Sequence, residues 1–277
     1  MSSAENPPFT SLAIVGLGLI GGSIALAVRE RWPSIRIVAI DRPAVLAHGL
    51  GSGAVDRGAA TVADIGRPDL VVLAAPVAEN VRLLPQVASQ VDAVAIITDV
   101  GGTKRDIMRA ARVLPSSVTF VGGHPIGGAE KGGFGFARPD LFAGRPWIFT
   151  PEAEFTGALD RLMRFARGLR ARPTTLDAGA HDRLMAFLSH LPQLTASALM
   201  EIVGSAATSD GLRLAGRGLV DTTRLASSPA AVWRDICAAN ADEIGQALDL
   251  LIDRLTELRA ELQRGEAVET IFDEAAR

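Results

Sequence analysis

A Gly-x-Gly-x-x-Gly pattern near the start of the chain, at residues 16–21, lies between two apolar runs. The run before it, residues 11–15, is short and continuous, which is typical of a strand buried on both faces of a parallel sheet. Apolar residues recur at helical spacing after the pattern, and a second strand-like run, residues 36–40, ends at Asp41. This acid stands 20 residues beyond the last glycine, so the sequence predicts a strand–helix–strand unit that binds a dinucleotide.

Each part of this unit has an expected contact with the dinucleotide. The first glycine allows a tight turn, the second lets the backbone approach the pyrophosphate, and the third permits close packing of helix and strand. The helix that follows favours the anion at its N-terminus. Asp41 is expected to bind the ribose hydroxyls and to repel a 2′-phosphate, so NAD is favoured over NADP. Arg42 is the next residue along the chain and offsets part of that charge.

Further strand-like runs alternate with helical patterns at residues 70–75, 93–98 and 118–121, and two last strands are predicted at residues 147–150 and 172–176. This alternation predicts an α/β fold with a doubly wound sheet, which is a Rossmann-type nucleotide-binding domain. Ligands bind at the carboxyl ends of the strands in such sheets, so the segments that follow these strands are expected to converge. The predicted cofactor-binding residues are Gly16, Gly18, Leu19, Ile20, Gly21, Asp41, Arg42, Ala75, Pro76, Val77, Asp99 and Gly101.

The periodicity becomes helical almost throughout from His181 onwards, which predicts a second, all-helical domain. The expected division is a flexible tail at residues 1–10, the dinucleotide-binding domain at residues 11–178 and the helical domain at residues 179–277. One long apolar stripe in the helical domain either packs within the domain or forms a subunit interface. The stripe comprises Ile244, Leu248, Leu251, Ile252, Leu255, Leu258 and Leu262.

Composition narrows the classes of function. The chain has 277 residues and a net charge of −3, and its lysines and arginines are scattered, so nucleic-acid binding is not expected. The single Cys237 excludes an intramolecular disulfide framework and a multi-cysteine metal site, and no metal is expected. No apolar run reaches the roughly 18 residues of a membrane-spanning helix. No signal-peptide pattern precedes the first apolar run, so the cytoplasm is the expected location.

A glycine-rich stretch at residues 122–133 is the expected place of the chemistry. One histidine, His124, and a Glu-Lys pair lie among six glycines there, and such a stretch is not expected to pack as core. Histidine is the side chain whose unperturbed pKa suits proton transfer near neutral pH. The alternative interpretation is that His124 only bonds its own loop.

Five blocks, in their order along the chain, resemble the prephenate/arogenate dehydrogenase family of tyrosine biosynthesis. They are the glycine pattern, residues 98–101, residues 123–126, residues 189–192, and residues 221–224 with Trp233. The resemblance implies oxidation of a cyclohexadienol at its 4-hydroxyl, with hydride passing to NAD or NADP and the ring carboxylate leaving as carbon dioxide. It also implies a homodimer formed through the C-terminal helices.

The resemblance leaves the substrate open. Prephenate would yield 4-hydroxyphenylpyruvate, and arogenate would yield tyrosine; an alternative within the family is a dehydrogenase of secondary metabolism that acts on 4-amino-4-deoxyprephenate. β-Hydroxyacid dehydrogenases rely on a catalytic lysine in their helical half and are disfavoured, because residues 180–277 contain no lysine. A non-enzymatic, NAD-sensing regulator is a further, disfavoured alternative.

The resemblance further implies roles for individual residues. His124 would accept the proton of the 4-hydroxyl as hydride leaves. Arg224 would bind a substrate carboxylate, since a planar guanidinium makes bidentate contacts, and a salt bridge to Asp221 is its alternative or additional role. Trp233 and His190 would contribute either to substrate contact or to packing. The predicted substrate-binding residues are His190, Gln193, Asp221, Arg224 and Trp233.

The chain departs from the family pattern at positions around the expected site. Many relatives have serine at Gly102, and Thr103 is the candidate that replaces its hydroxyl, so Thr103 is predicted to be catalytic together with His124. The other departures are Ala129, Gly132 and Gln193, the last of which replaces a second histidine. An altered pocket is therefore expected.

His181 and Asp182 are adjacent at the start of the first helix of the helical domain. They are interpreted as a helix cap or a contact at the domain junction rather than a catalytic pair, because successive residues of a helix point to different sides. His48 belongs to no motif and is expected at the surface.

Overall fold

Eight strands form one sheet in the computed structural model, which describes residues 6–92, 94–129, 131–152, 157–265 and 269–276. The strands are β1 Ser11–Val15, β2 Arg36–Ile40, β3 Arg57–Ala59, β4 Leu70–Leu73, β5 Ile96–Asp99, β6 Thr119–Pro125, β7 Pro146–Thr150 and β8 Arg172–Thr175. Their order in the sheet is β3-β2-β1-β4-β5-β6-β7-β8, and all neighbours are parallel except β6 and β7. The predicted doubly wound α/β fold is confirmed, with one antiparallel pairing that the sequence did not predict.

Helices follow most of the strands. The α-helices are α1 Leu19–Arg31, α2 Pro43–Gly51, α3 Val77–Ala88, α4 Arg105–Ala111, α5 Gly157–Gly168, α6 Ala178–Met185, α7 Leu191–Ala206, α8 Ser209–Leu212, α9 Arg217–Thr223, α10 Ala230–Ala239, α11 Ala241–Gln263 and α12 Glu269–Ala275. A π-helical segment, Ala186–His190, joins α6 to α7, and short 3-10 helices lie at Val62–Asp64, Phe134–Phe136 and Arg224–Ser227. Among the described residues, no helix combines the length and the apolar content that crossing a bilayer requires.

The central strands are buried on both faces because helices cover the sheet on both sides. All residues of β1 and β4 are buried, which explains why their sequences are continuous apolar runs without alternation. Successive side chains of a strand point to opposite faces. Accordingly Ile14 belongs to an apolar cluster with Ile24 of α1, whereas Val15 belongs to a cluster with Leu84 of α3.

The chain divides into two compact units. One comprises the described residues up to Asp182 together with Ser227–Ala239, and it contains the whole sheet. The other comprises Arg183–Ala226 and the described residues from Asn240 onwards. The regular elements of these residues are all helices. The predicted boundary after residue 178 lies before the observed boundary after Asp182. The predicted and observed divisions also differ in the placement of α10. Helix α10 belongs to the unit with the sheet, because it packs on α3.

Some residues named in the sequence expectations lie outside the described ranges, among them Ala93, the first residue of the strand predicted at residues 93–98. Of the predicted tail at residues 1–10, residues 1–5 are not described, and Thr10 already bonds Asp69 through its backbone N–H. Glu130 of the glycine-rich stretch is not described either.

Candidate active site

The glycine turn after β1 is held in a conformation that requires glycine. Gly16 has a φ of +98°, and a Cβ atom there would lie 2.6 Å from the backbone of Ala74. A Cβ atom on Gly21 would lie 2.0 Å from the carbonyl oxygen of Gly16, so only glycine lets α1 start this close to the strand end. Both positions have the role that the sequence pattern predicts.

The N-terminus of α1 offers an uncapped set of backbone donors. Gly18 precedes the helix, and no side chain accepts a hydrogen bond from its first N–H groups at that position. A Cβ atom on Gly18 would meet no atom within 4 Å, so the backbone faces open space on that side. The positive end of a helix dipole beside such a space is suited to a phosphate anion, and this geometry fits the pyrophosphate of NAD(P).

Asp41 is oriented by the same turn. Its Oδ2 accepts a hydrogen bond from the backbone N–H of Leu17 at 2.7 Å, and its Oδ1 accepts one from that of Arg42 at 2.7 Å. The Asp41 side chain is only 18% exposed, while that of Arg42 is 87% exposed with its Nε 3.9 Å from Asp41 Oδ1. A fixed carboxylate at the end of β2 therefore has an exposed cation as its neighbour.

The loop after β4 lies against the glycine turn. Asn80 of α3 is completely buried; its Oδ1 accepts a hydrogen bond from the N–H of Ala75 at 3.0 Å, and its Nδ2 donates to the carbonyl of Leu73 at 3.2 Å. Asn80 was missed in the sequence, although a polar residue on the apolar face of α3, between Val77 and Leu84, is the signal that reveals it.

These two loops follow β1 and β4, the neighbouring strands at which the order of the sheet reverses. Open α/β sheets bind ligands in the crevice at this point. The loop with Ala75, Pro76 and Val77 adjoins the glycine turn there, since Gly16 lies close to the backbone of Ala74.

A buried ion pair organises the loop after β5. Lys104 Nζ contacts Asp99 Oδ2 and donates a hydrogen bond to the carbonyl of Gly123 at 2.7 Å, and neither side chain is exposed by more than 1%. Asp99 also accepts hydrogen bonds from the N–H of Gly101 at 2.8 Å and of Gly123 at 3.0 Å. Both carboxylate oxygens of Asp99 are thus engaged within the protein. The Asp99 side chain therefore has a structural role, and the expected contact of Asp99 with the cofactor stays a prediction.

Two opposing effects act on the pKa of Lys104. Burial lowers the pKa of its ammonium group from the ordinary value, and the adjacent charge of Asp99 opposes that shift. The sequence expectation assigned no role to this lysine, although a lysine five residues after an acid at a strand end is the signal that reveals the pair.

His124 lies within a strand rather than in a loop. Thr119–Val121 of β6 pair in parallel with β5, and the strand then continues to Pro125 in antiparallel pairing with β7, where His124 is opposite Ile148. His124 is therefore carried beyond the last residues that pair with β5. The expectation that the glycine-rich stretch cannot pack as core is wrong for its first part, because Gly122 and Gly123 are buried.

The reason is close packing that only glycine permits. A Cβ atom on Gly122 would lie 2.1 Å from Thr150 Oγ1, and one on Gly123 would lie 2.6 Å from the carbonyl oxygen of Asp99. The two glycines therefore let β6 run between β5 and β7 at this point, which places His124 beyond the residues of β6 that pair with β5.

His181 and Asp182 are brought to His124. His124 Nδ1 and His181 Nε2 are 2.9 Å apart, and His181 Nδ1 and Asp182 Oδ1 are 2.7 Å apart. The expectation that these neighbours point to different sides is wrong, because Nδ1 is the ring nitrogen nearest the backbone and reaches the next carboxylate. Asp182 does cap a helix, but that helix is α4: it accepts hydrogen bonds from the N–H of Lys104 at 2.7 Å and of Arg105 at 2.9 Å.

Thr103 lies in the same loop and is buried. Its hydroxyl has no hydrogen-bond partner among the described residues. A Cβ atom on Gly102 would lie 3.3 Å from Ile236 Cδ1, so a larger residue there requires that side chain to shift. The catalytic role of Thr103 stays a prediction.

The predicted substrate-binding residues lie in both units. Trp233 belongs to α10 in the unit with the sheet and is half-buried. His190 is buried in the helical unit, with its Nδ1 3.2 Å from Asn240 Nδ2. Gln193 is also buried there, and its Nε2 donates to the carbonyl of Leu225 at 2.7 Å. These contacts favour the packing interpretation of His190 and give Gln193 a packing role as well.

Asp221 and Arg224 are both exposed in the helical unit, at the end of α9 and the start of the 3-10 helix that follows. Their predicted contact with substrate stays a prediction.

Comparison with known proteins gives a consistent result. Residues 24–174 match the family model described as prephenate dehydrogenase, nucleotide-binding domain, and residues 177–273 match prephenate dehydrogenase, dimerization domain. The chain is 34% identical over 270 residues to the prephenate dehydrogenase of Bacillus subtilis (strain 168), covering 95% of this chain and 72% of that relative. It is 30% identical over 262 residues to the cyclohexadienyl dehydrogenase of Zymomonas mobilis, covering 91% and 88%.

A solved structure is similar over nearly the whole chain. It is that of prephenate dehydrogenase from A. aeolicus in complex with hydroxyphenyl propionate and NAD+, with a TM-score of 0.86 and 27% identity. The similarity covers 96% of both chains.

Replacement of the buried lysine should destabilise the sheet unit. We expect Lys104→Met to lower the free energy of unfolding by about 3–5 kcal/mol, because it leaves the Asp99 carboxylate buried without its partner. Urea denaturation monitored by circular dichroism measures this change. The matched control is Arg82→Met, which removes an exposed ion pair with Glu79 on α3 and should cost less than about 1 kcal/mol. Equal losses in the two variants would contradict the organising role of Lys104.

Proposed function

Because the chain belongs to the prephenate dehydrogenase family, we propose that it catalyses the NAD(P)-dependent oxidative decarboxylation of prephenate, arogenate or both. The observation that carries this proposal is the position of His124. Both family domains match along the chain, and His124 lies just past the β5–β6 pairing with its imidazole linked to His181. The relatives named above include a prephenate dehydrogenase and a cyclohexadienyl dehydrogenase, a name that covers both substrates.

The proposed chemistry requires one base. The O–H bond at ring carbon 4 breaks and its proton passes to His124, while the C–H electron pair at the same carbon leaves as hydride. Loss of the ring carboxylate as carbon dioxide returns an electron pair to the ring and makes it aromatic. The oxygen then recovers a proton as a phenol. When bound, the dinucleotide supplies the hydride acceptor, and His124 supplies the proton acceptor and donor.

NAD is the proposed cofactor. Asp41 is the group that supports this preference, because its carboxylate is fixed by Leu17 and Arg42 at the end of β2 and repels a 2′-phosphate. The similar A. aeolicus structure contains NAD+. Arg42 remains exposed and is the residue through which NADP would be accommodated.

We assign the carboxylate contact with substrate to Arg224, as the family resemblance implies. The guanidinium is exposed, and a bidentate contact with a carboxylate uses its planar geometry. Gln193 replaces a histidine of the family pattern and donates to a backbone carbonyl, so we expect little contribution from it to substrate charge recognition.

A homodimer is proposed on two observations. The family model that matches residues 177–273 is described as a dimerization domain. In addition, the apolar stripe of α11 is only partly covered within the chain: Ile244 is 5% exposed, but Ile252, Leu255 and Leu262 are between 52% and 59% exposed. An exposed apolar stripe on one helix face fits burial against the same stripe of a second copy of the chain.

Substrate and cofactor are tested together by following NADH and NADPH formation with prephenate and with arogenate in parallel. We expect turnover with at least one substrate and faster turnover with NAD than with NADP. Turnover only with 4-amino-4-deoxyprephenate would replace the proposed substrate by its amino analogue. No turnover with any of the three would contradict the proposed function.

His124 is tested by the substitution His124→Asn. We expect kcat to fall about 10²–10⁴-fold, because a positioned general base contributes that much to the rate, while the thermal unfolding midpoint stays close to that of the unchanged protein. His48→Asn is the control, since His48 is exposed and contacts the Phe134 ring edge-on. Near-normal turnover in His124→Asn would show that the base is another group.

Asp41 is tested by Asp41→Asn. We expect the ratio of kcat/KM for NAD to that for NADP to fall by about tenfold, which corresponds to about 1.4 kcal/mol of lost discrimination. Arg42→Ala should change the ratio in the opposite direction, because it removes the cation that compensates a 2′-phosphate. An unchanged ratio in both variants would show that other residues set the cofactor preference.

A further inference from the structure

A chain of hydrogen-bonding groups leads from His124 into the interior of the unit with the sheet. His124 Nδ1 is 2.9 Å from His181 Nε2, and His181 Nδ1 is 2.7 Å from Asp182 Oδ1. His181 and Asp182 have no exposed surface, whereas His124 is half-buried. The chain therefore begins at a partly exposed imidazole and ends at a carboxylate that solvent does not reach.

The protonation states of His124 and His181 follow from that of Asp182, at the buried end of this series of hydrogen bonds. Burial opposes ionisation of Asp182, but hydrogen bonds from His181 and from the backbone N–H groups of Arg105 and Lys104 prevail and hold the pKa of the carboxyl below its usual range. An ionised carboxylate only accepts hydrogen bonds, so His181 must carry its proton on Nδ1.

The same reasoning extends to His124. A neutral His181 with its proton on Nδ1 has a lone pair on Nε2 and accepts a hydrogen bond there. His124 must then carry its proton on Nδ1 and donate it to His181, which leaves Nε2 of His124 unprotonated. The partner of one ring nitrogen thus decides which nitrogen acts as the base.

Among the described residues, two further charged side chains near these groups come from the segment between β5 and α4. The Lys104 ammonium is paired with Asp99. Arg105 Nε lies 3.3 Å from Asp182 Oδ2, and the Arg105 side chain is 26% exposed. Asp182 therefore faces a partly solvated cation on one oxygen and His181 on the other, and its charge is available to a second cation on the histidine side.

We propose that His181 and Asp182 are positioning residues of the reaction: they hold His124 with Nε2 as the proton acceptor, and they share the positive charge that arises when His124 takes up the proton. This inference rests on the proposed function. The O–H bond of the substrate breaks and an N–H bond forms at His124 Nε2. The proton on His124 Nδ1 then moves to His181 Nε2, which places the cation beside the Asp182 carboxylate. The reverse movement returns a proton to the phenolate oxygen once carbon dioxide has left.

The first test needs no turnover. The sequence contains four histidines, so the full chain labelled with ¹⁵N-histidine gives few imidazole signals, which single substitutions assign. Above the pH at which the rings titrate, we expect His124 and His181 to carry their protons on Nδ1. In His181→Phe, which retains an aromatic ring but has no acceptor, the proton of His124 should no longer be confined to Nδ1. A proton on Nε2 of His124 in the unchanged protein would overturn the proposal.

The second test is the pH dependence of kcat/KM in two matched variants. His181→Gln keeps an acceptor for His124 but cannot take a proton, whereas His181→Phe keeps neither property. We expect kcat to fall on the order of 100-fold in His181→Phe and less in His181→Gln. The acid limb should move to lower pH by about one unit in both variants and in Asp182→Asn, since each removes stabilisation of the cation. His48→Gln should leave the rate and the profile unchanged.

The outcomes distinguish proton transfer from His124 to His181, called the relay below, from a packing role of His181. They also distinguish failure of the relay from failure of the proposed function. Equal losses of kcat in the Phe and Gln variants, with an unmoved acid limb, would overturn the relay and leave packing as the role of His181. Should Asp182→Asn unfold because it caps α4, the two His181 variants decide. An unchanged protein that turns over no substrate contradicts the proposed function alone, and the imidazole tautomers then still decide the relay.

Discussion

The buried ion pair between Lys104 and Asp99 is the interaction on which the active-site half of the sheet depends. Asp99 accepts the N–H of Gly123, and Lys104 donates to the carbonyl of the same residue, so the pair holds both polar backbone groups of the residue before His124. A charged pair without solvent is stable only when further hydrogen bonds satisfy it, and the backbone supplies them here. The position of His124 is therefore set by electrostatics at the residue next to it.

Lys104 makes contacts through both its side chain and its backbone. These contacts link the Lys104–Asp99 ion pair to the carboxylate of Asp182. Its Nζ contacts Asp99, while its backbone N–H donates to Asp182 at 2.7 Å. Asp182 also bonds His181, which in turn reaches His124. The loop before α4 is thus fixed between two carboxylates that come from different elements, and both lead to the same imidazole. A shift of this loop would disturb the backbone and the ring of His124 together.

The cofactor half depends on backbone sterics rather than on buried charge. Gly16 and Gly21 allow close backbone contacts, because a Cβ atom on either residue would lie only 2.6 Å or 2.0 Å from neighbouring backbone atoms, and Gly18 leaves the start of α1 open. Asp41 then fixes the N–H of Leu17 at the turn. This half follows directly from residue types and spacing, because each requirement is met by residues close together in the sequence. The departures at Gly102, in the unit with the sheet, and at Gln193, in the helical unit, depend instead on neighbours distant in the sequence, Ile236 and Leu225 respectively.

The sequence by itself determined the alternation of strands and helices, the dinucleotide turn with Asp41, the family and His124 as the base to be tested. Only the tertiary structure decided that β6 continues through His124 in antiparallel pairing and that His181 and Asp182 meet His124. The reason is distance along the chain. His124 and His181 are 57 residues apart and Lys104 and Asp182 are 78 apart, so no local pattern encodes their contact. Glycine turns and strand ends act over a few residues, whereas buried charges are paired by whatever elements the fold brings beside them.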